Sequence, residues 1–282
     1  GEDPIKYLNL DDTIYTLDLN PNRSDCNNHL AFAYEVASVL GKKVNLPNLE
    51  YQTIEEDIED NFELDVITDN CSMYNAKMVT NVKIGPSPEF IKQRLQRAGM
   101  RSINNVVDIS NYVMLEYGQP LHFFDYDKLG KKIVVRMAKE NEEIVTLDNK
   151  TRILSSDDIV ITDGEKPVCI AGVMGGKNTE VDENTKTILI ESAIFNPYNV
   201  RYTSLGLDLR SEASLRYEKG LNYEYCLDAL KRACHLLEKY ASGKILSGML
   251  SYDEIDSSPR QVTDSLNDIN SLLGMNLTIE DV

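Results

Sequence analysis

The chain contains no tryptophan and only three histidines, His29, His122 and His235. Its five cysteines (Cys26, Cys71, Cys169, Cys226 and Cys234) are odd in number and widely spread, and no CxxC occurs. Neither a disulfide framework nor a zinc site is suggested by that pattern. HExxH and a nucleophilic triad are also absent, so no metal cluster and no covalent hydrolase is indicated. No apolar run approaches the roughly eighteen residues of a membrane helix, and no basic-then-apolar leader is present. A cytoplasmic globular protein without membrane association is the expectation. Cationic residues are scarce too: 29 Lys and Arg stand against 46 Asp and Glu, for a net charge of −17. Because nucleic-acid phosphates are held by clustered Lys and Arg, the chain alone should bind RNA poorly.

What is present suffices for a folded core. A length of 282 residues with 42% hydrophobic content suggests one large or two moderate domains. Asn22 to Gly41 reads as a helix capped by Ser24 or Asp25, with Leu30, Tyr34, Ala37 and Leu40 on one face and Gly41 ending it. Glu50 to Asp65 holds eight acidic residues and no basic one, and reads as a solvated linker or exposed face. Strands are expected over Val66 to Asp69 and Ala76 to Ile84. Ser87-Pro88-Glu89 should cap a helix with Phe90, Ile91, Leu95 and Ala98 inward and Gly99 closing it. Asn104 to Tyr117 reads as helical, broken by Gly118 and Pro120. Short β-rich runs follow at Ile133–Ala138, Glu143–Leu147, Ile159–Thr162, Val168–Ala171 and Thr187–Ile190. Leu227, Leu230, Cys234 and Leu237 mark a closing helix in which Cys226 and Cys234 pack. Ser251 to Arg260 reads as a linker, and Leu266 to Leu273 as a small helix ended by Gly274. The fold class is α+β, with a mainly antiparallel β core and flanking helices.

Three stretches carry candidate chemistry. Arg101 to Asp125 concentrates Asn104, Asn105, Asp108, Ser110, Asn111, Gln119 and His122 on an apolar scaffold, more buried polarity than folding alone readily explains. An isolated histidine such as His122 is more often a satisfied core residue than a functional one. GVMGGKN, Gly172 to Asn178, is not a phosphate loop, since Ala171 stands where the first glycine is required and Asn178 where Ser or Thr should be. Its glycines suit a β-turn reached through positive φ, or a wall that a substrate approaches closely with free N–H groups. Glu191 follows the apolar run Ile188-Leu189-Ile190, which could leave it at a strand's end facing solvent or a pocket.

These stretches, taken with AGVMGG (Ala171 to Gly176), LIESAIF (Leu189 to Phe195) and RSEASLRYEKGL (Arg210 to Leu221), resemble in order the editing (B3/B4) domain of bacterial phenylalanine–tRNA ligase beta subunits. PNRSDC at Pro21 to Cys26 is similar to the PNRxDC helix of the same family. The resemblance implies that residues 1–48 are the second half of a first module and 49–65 an acidic linker. It places the editing domain at 66–248, a linker at 249–262, and the start of a DNA-binding-like B5 module at 263–282, with Gly1 a cut end. It also implies hydrolysis of the ester joining wrongly attached tyrosine to the tRNA for phenylalanine. Glu191 would accept a hydrogen bond from the tyrosine phenol. His122, matched within QPxHxFD with Pro120, would sit beside the terminal ribose or the attacking water, without being an obligate general base. Gly175 would lie against the reacting ester, Ser110 and Asn111 would line the pocket, and Ala213 would be a small residue in its wall. Arg216 and Glu218 are expected in structural ion pairs. The resemblance implies no cofactor for this chain. ATP and magnesium would serve an α2β2 parent enzyme whose alpha subunit carries the aminoacylation centre. The rivals are a noncatalytic tRNA-binding or assembly module and a free-standing trans-editing hydrolase.

Overall fold

The computed structural model describes residues 3–7, 11–20, 22–259 and 261–282, so Gly1, Pro21 and Arg260 lie outside the described residues. In chain order the helices are α1 (Pro4–Tyr7), α2 (His29–Leu40), α3 (Glu89–Arg97), α4 (Asn105–Tyr117), α5 (Tyr126–Leu129), α6 (Pro197–Gly206), α7 (Glu212–Tyr217), α8 (Glu224–Ala241) and α9 (Leu266–Leu273). The strands begin with β1 (Thr53–Asp57), β2 (Glu63–Val66), β3 (Cys71–Thr80), β4 (Leu121–Asp125), β5 (Lys132–Met137), β6 (Glu142–Val145) and β7 (Thr151–Leu154). They continue with β8 (Ile159–Thr162), β9 (Pro167–Ile170), β10 (Met174–Gly175), β11 (Ile188–Phe195), β12 (Lys244–Ser247) and β13 (Leu250–Asp253).

A six-stranded sheet runs β1-β12-β3-β11-β4, with β13 also pairing β3. A five-stranded sheet runs β10-β9-β8-β5-β2, and β6 with β7 forms a separate ribbon. Only the β1–β12 and β2–β5 pairs among those described are parallel, so the α+β, mainly antiparallel expectation holds. Side chains alternate across a strand, and β11 uses that period to serve two cores. Leu189, Ala193 and Phe195 point between the two sheets with Tyr74, Ala76, Met78 and Phe124. Ile188 and Ile190 point the other way, under α3, α4 and α8, with Val79, Ile109, Val113, Leu230 and Leu237.

Helix α4 starts where Asn104 accepts hydrogen bonds from the backbone N–H groups of Val106 and Val107, and ends at Gly118, whose φ of 75° is the left-handed region glycine enters without a Cβ clash. Much of the polar cluster around it is structural. Buried Asp108 accepts from Ser87 Oγ and Ser102 Oγ, both at 2.5 Å, and from Ile103 N at 2.8 Å. Asn105 accepts from Gly85 N and donates to the carbonyls of Lys83 and Tyr240. Folding therefore accounts for three of the seven polar residues that seemed to exceed its needs.

Several boundaries differ from expectation. Asn28, not Ser24 or Asp25, caps α2, since Ser24–Cys26 is a separate 3-10 turn; of that helix's expected face Leu30 is buried while Tyr34 and Leu40 are exposed. Ser87 does not cap α3, because its hydroxyl goes to Asp108. Strands β2 and β3 begin several residues before the expected ones. The acidic stretch is not a solvated linker: it carries β1 and the start of β2, with charges on outward positions and Ile58 and Phe62 buried at 0% and 3% exposure. Likewise Ser251 to Asp253 belongs to β13, paired with β3, and is not linker. Leu266 to Leu273 is helical as expected, with Ser265 as cap and Gly274 in the left-handed region.

Phe62→Ala is thus expected to lower stability by about 3–5 kcal/mol, the usual cost of emptying a core aromatic site. A urea melt measures it, and a linker residue would lose almost nothing.

Candidate functional site

The edge of the intersheet space brings β4, β10 and β11 together. His122 on β4 is the register partner of Glu191 on β11, and residues opposite one another in an antiparallel pair share a face. That face is the intersheet one, because Phe124, two residues beyond His122, and Leu189, two before Glu191, both belong to the intersheet core. Glu191 is therefore mid-strand and 4% exposed, not at a strand's end.

Glu191 has an internal partner. The Tyr74 phenol on β3 donates to Glu191 Oε2 at 2.9 Å. Burial pushes the carboxyl up to about 8, the Tyr74 bond opposing only part of that, so it carries its proton at neutral pH. His122 experiences the opposite effect. Its ring stands edge-on to Phe124, centroids 4.3 Å apart, and burial pulls its pKa down to about 4. Part of the ring surface remains exposed, but Nε2 is buried without a hydrogen-bond partner. A neutral imidazole with an unpartnered nitrogen is a poor base at pH 7 and a good site for one hydrogen bond.

Gly175 on β10 closes against this ring. A Cβ built there would fall 2.8 Å from His122 Nε2 and closer still to Cε1. The glycine is required by His122, then, and not by a turn: neither Gly175 nor Gly176 has positive φ, which in this segment occurs at Gly172, φ 70°. The Gly176 N–H is also not free, since it donates to Val168 O at 2.7 Å.

Ser110 reaches the group from the helical layer, its Oγ donating to Leu121 O at 2.8 Å. Pro120 is buried just before that strand. Gln119 Nε2 donates to Ala193 O at 2.9 Å, and the Tyr217 phenol donates to the same carbonyl at 2.9 Å, while Gln119 Oε1 is buried without a partner. Helix α7 is tied in by Ser211 Oγ to Val173 O at 2.7 Å. Asn111 on α4 and Ala213 on α7 are half-buried on these bordering helices. Among the described residues, neither makes a hydrogen bond to His122, Gly175 or Glu191. Arg216 pairs with Glu212 and Glu218 with Arg210.

Sequence reasoning missed Tyr74 and Tyr217. A tyrosine amid apolar strand residues needs a partner for its hydroxyl, and that signal was available at Tyr74; the strand was expected to start after it. The Asp25, Cys26 and Glu35 ligand atoms lie near one another, but the Arg23 guanidinium sits 2.9 Å from Asp25 and 2.6 Å from Glu35. An organic cation fills the place a magnesium ion would take, so these residues do not fit one. All five cysteines are buried and free.

Gly175→Ala should displace the His122 ring and cost about 1–3 kcal/mol, as overpacking does; a denaturation midpoint and the His122 NMR shifts report it. The Glu191 shift carries a sign. An unfolded glutamate ionises near 4.5 while the buried one holds its proton to about 8, so the carboxyl's contribution to stability is present below 4.5 and lost as pH rises through that window. Glu191→Gln cannot ionise, and should gain on the parent between about pH 5 and about pH 8 in paired urea melts; a gap independent of pH would mean the folded carboxyl is already ionised.

Known proteins are similar to this chain over its whole length. Residues 70–242 match the family model of the B3/4 domain. Proteins named phenylalanine–tRNA ligase beta subunit are 47% identical in Bacillus cereus, 46% in Staphylococcus saprophyticus and 44% in Streptococcus pyogenes serotype M1, each over 100% of this chain. The chain spans about a third of those relatives, 35% to 36% of their length. The crystal structure of an N-terminal fragment of the phenylalanyl-tRNA synthetase beta subunit from Pyrococcus horikoshii aligns over 93% of this chain and 72% of that one, at 15% identity and a TM-score of 0.47, too low for one to inform the other. No described helix is long and apolar enough to cross a membrane. With more than half of its residues matched, the chain belongs to the B3/4 domain family.

Proposed function

We propose that the chain is part of a phenylalanine–tRNA ligase beta subunit, and that it hydrolyses the ester joining tyrosine to the tRNA for phenylalanine. The observation that carries this is the buried carboxyl of Glu191, held at one oxygen by Tyr74 and lying opposite a neutral His122. Such a carboxyl offers the second phenol, that of the substrate, a hydrogen bond. Phenylalanine in the same place would leave a buried polar atom unpaired, which is how a site built around a hydroxyl separates two amino acids that differ by that hydroxyl alone.

In the hydrolysis, water adds to the ester carbonyl, the bond to the ribose oxygen breaks, and that oxygen leaves with a proton. His122, a neutral imidazole too weakly basic to take the water's proton at pH 7, orients the water or the ribose. Gly175 leaves the ring room to sit there. Ser110 steadies the β4 backbone beside it, Asn111 and Ala213 border the pocket, and Pro120 stiffens the approach to β4. No step needs a cofactor. ATP and magnesium belong, on this reading, to the aminoacylation centre of the alpha subunit in an α2β2 enzyme of the cytoplasm.

In the intact ligase, Glu191→Ala should weaken clearance of tyrosine-charged tRNA by about 1–3 kcal/mol and spare aminoacylation. Tyr74→Phe, which frees Oε2 without changing the packing, should lose part of the same discrimination. Deacylation of tyrosyl- and phenylalanyl-tRNA measures both; unchanged tyrosine clearance in Glu191→Ala removes the carboxyl from the mechanism and favours the noncatalytic alternative.

A further inference from the structure

Next to the candidate site lies a cleft of about 330 Å³, walled by the Ser24–Asn28 segment, the end of α4, and the residues from α7 to α8. We infer that this cleft binds the nucleotide preceding the terminal adenosine of the tRNA 3′ strand, an inference that rests on the editing function proposed above and names where its substrate continues.

Position supports it first. Gly118 and Arg216 line the cleft, and their chain neighbours Gln119 and Tyr217 both donate to Ala193 O, two residues along β11 from Glu191. One layer of side chains thus separates the cleft from the Glu191 crevice. An ester seated there would hold its adenosine near His122, leaving the next nucleotide at the cleft.

The chemistry of the lining fits a nucleotide. Lys219 is exposed and forms no ion pair among the described residues. Arg216 spends Nη1 on Glu212, while its buried Nε has no partner. With Arg216 held by Glu212, Lys219 is the cation lining this opening that is left for a phosphodiester. Asp25 also lines the cleft, but its carboxylate is held by Arg23 at 2.9 Å. Tyr225, half-buried and backed edge to face by buried Tyr117 with centroids 5.9 Å apart, gives an aromatic face for a base, and aromatic stacking with few phosphate contacts is how single strands are held. Gly118 lets the Asn28 side chain pack against the end of α4 in the cleft wall, since a Cβ there would come 2.9 Å from Asn28 Nδ2. The cleft of about 460 Å³ beside Tyr198 and Tyr202 is lined by Asp157 and Asp158 and by no Lys or Arg, and would repel a phosphate.

The test uses the intact ligase in single-turnover hydrolysis of two esters, tyrosyl-tRNA and the tyrosyl ester of adenosine alone. Lys219→Glu should raise the half-saturating concentration of tyrosyl-tRNA about ten-fold, the worth of one contact of about 1.4 kcal/mol, without changing the maximal rate. Lys219→Arg should restore it, and the adenosine ester should be hydrolysed equally by all forms. Lys150→Glu, the same charge change on the β6–β7 turn, should have little effect. An unmoved half-saturation, an equal effect of Lys150→Glu, or parallel losses on both esters would overturn the inference. If the wild-type enzyme hydrolyses neither ester, it is the editing function that fails; the cleft is then judged by uncharged tRNA, whose binding should weaken with Lys219→Glu, and unchanged binding overturns it.

Discussion

The two-residue period of β11 is the constraint on which the rest depends. One set of its side chains, Leu189, Glu191, Ala193 and Phe195, enters the space between the sheets, and the other, Ile188, Ile190 and Ser192, enters the helical core, where Ser192 Oγ donates to Cys226 O. A slip of one residue would exchange the sets, put a carboxyl under α8 and bring isoleucines against β10. Pairing on both sides, to β3 over eight positions and β4 over five, holds the register. Glu191 is therefore buried opposite His122 because the sheet cannot place it elsewhere.

Buried polarity in this protein divides by how completely it is satisfied. Asp108 has three donors, Asn105 has three partners, and the Lys77 ammonium lies 2.8 Å from Leu246 O and 2.5 Å from Gly248 O. These groups join loops to helices and strands. Around β4 the case differs. His122 Nε2 and Gln119 Oε1 are buried and unpartnered, and Glu191 has one oxygen engaged by Tyr74. An unmade hydrogen bond in the interior costs about 1–3 kcal/mol, so a fold retains one where something other than folding uses it.

Charge places a further condition on any work with RNA. With a net charge of −17, long-range attraction to a polyanion is unfavourable, and the strongly acidic outward positions of β1 and β2 add to it. On the function proposed above, recognition by this chain would be local and close: a crevice for the ester, and a lysine beside an aromatic ring in the neighbouring cleft. Most of the affinity for a whole tRNA would come from other parts of an assembly, as the −17 alone implied.

The sequence by itself determined the class of fold and the order of its motifs. Helix α4 is readable because Asn104 and Gly118 act within one turn of their own positions, and α9 likewise from Ser265 and Gly274. Candidate site residues such as His122, Gly175 and Glu191 were nameable because short motifs surround them. Tertiary structure decided what those residues touch. That Gly175 serves the His122 ring, that Tyr74 already holds Glu191, and that acidic Thr53–Asp57 is a strand over buried Ile58 and Phe62 all depend on contacts between segments tens of residues apart. Local propensity and charge pattern act over a few residues, whereas desolvation, which raises one carboxyl to about 8 and lowers one imidazole to about 4, exists only after the sheets have closed over them.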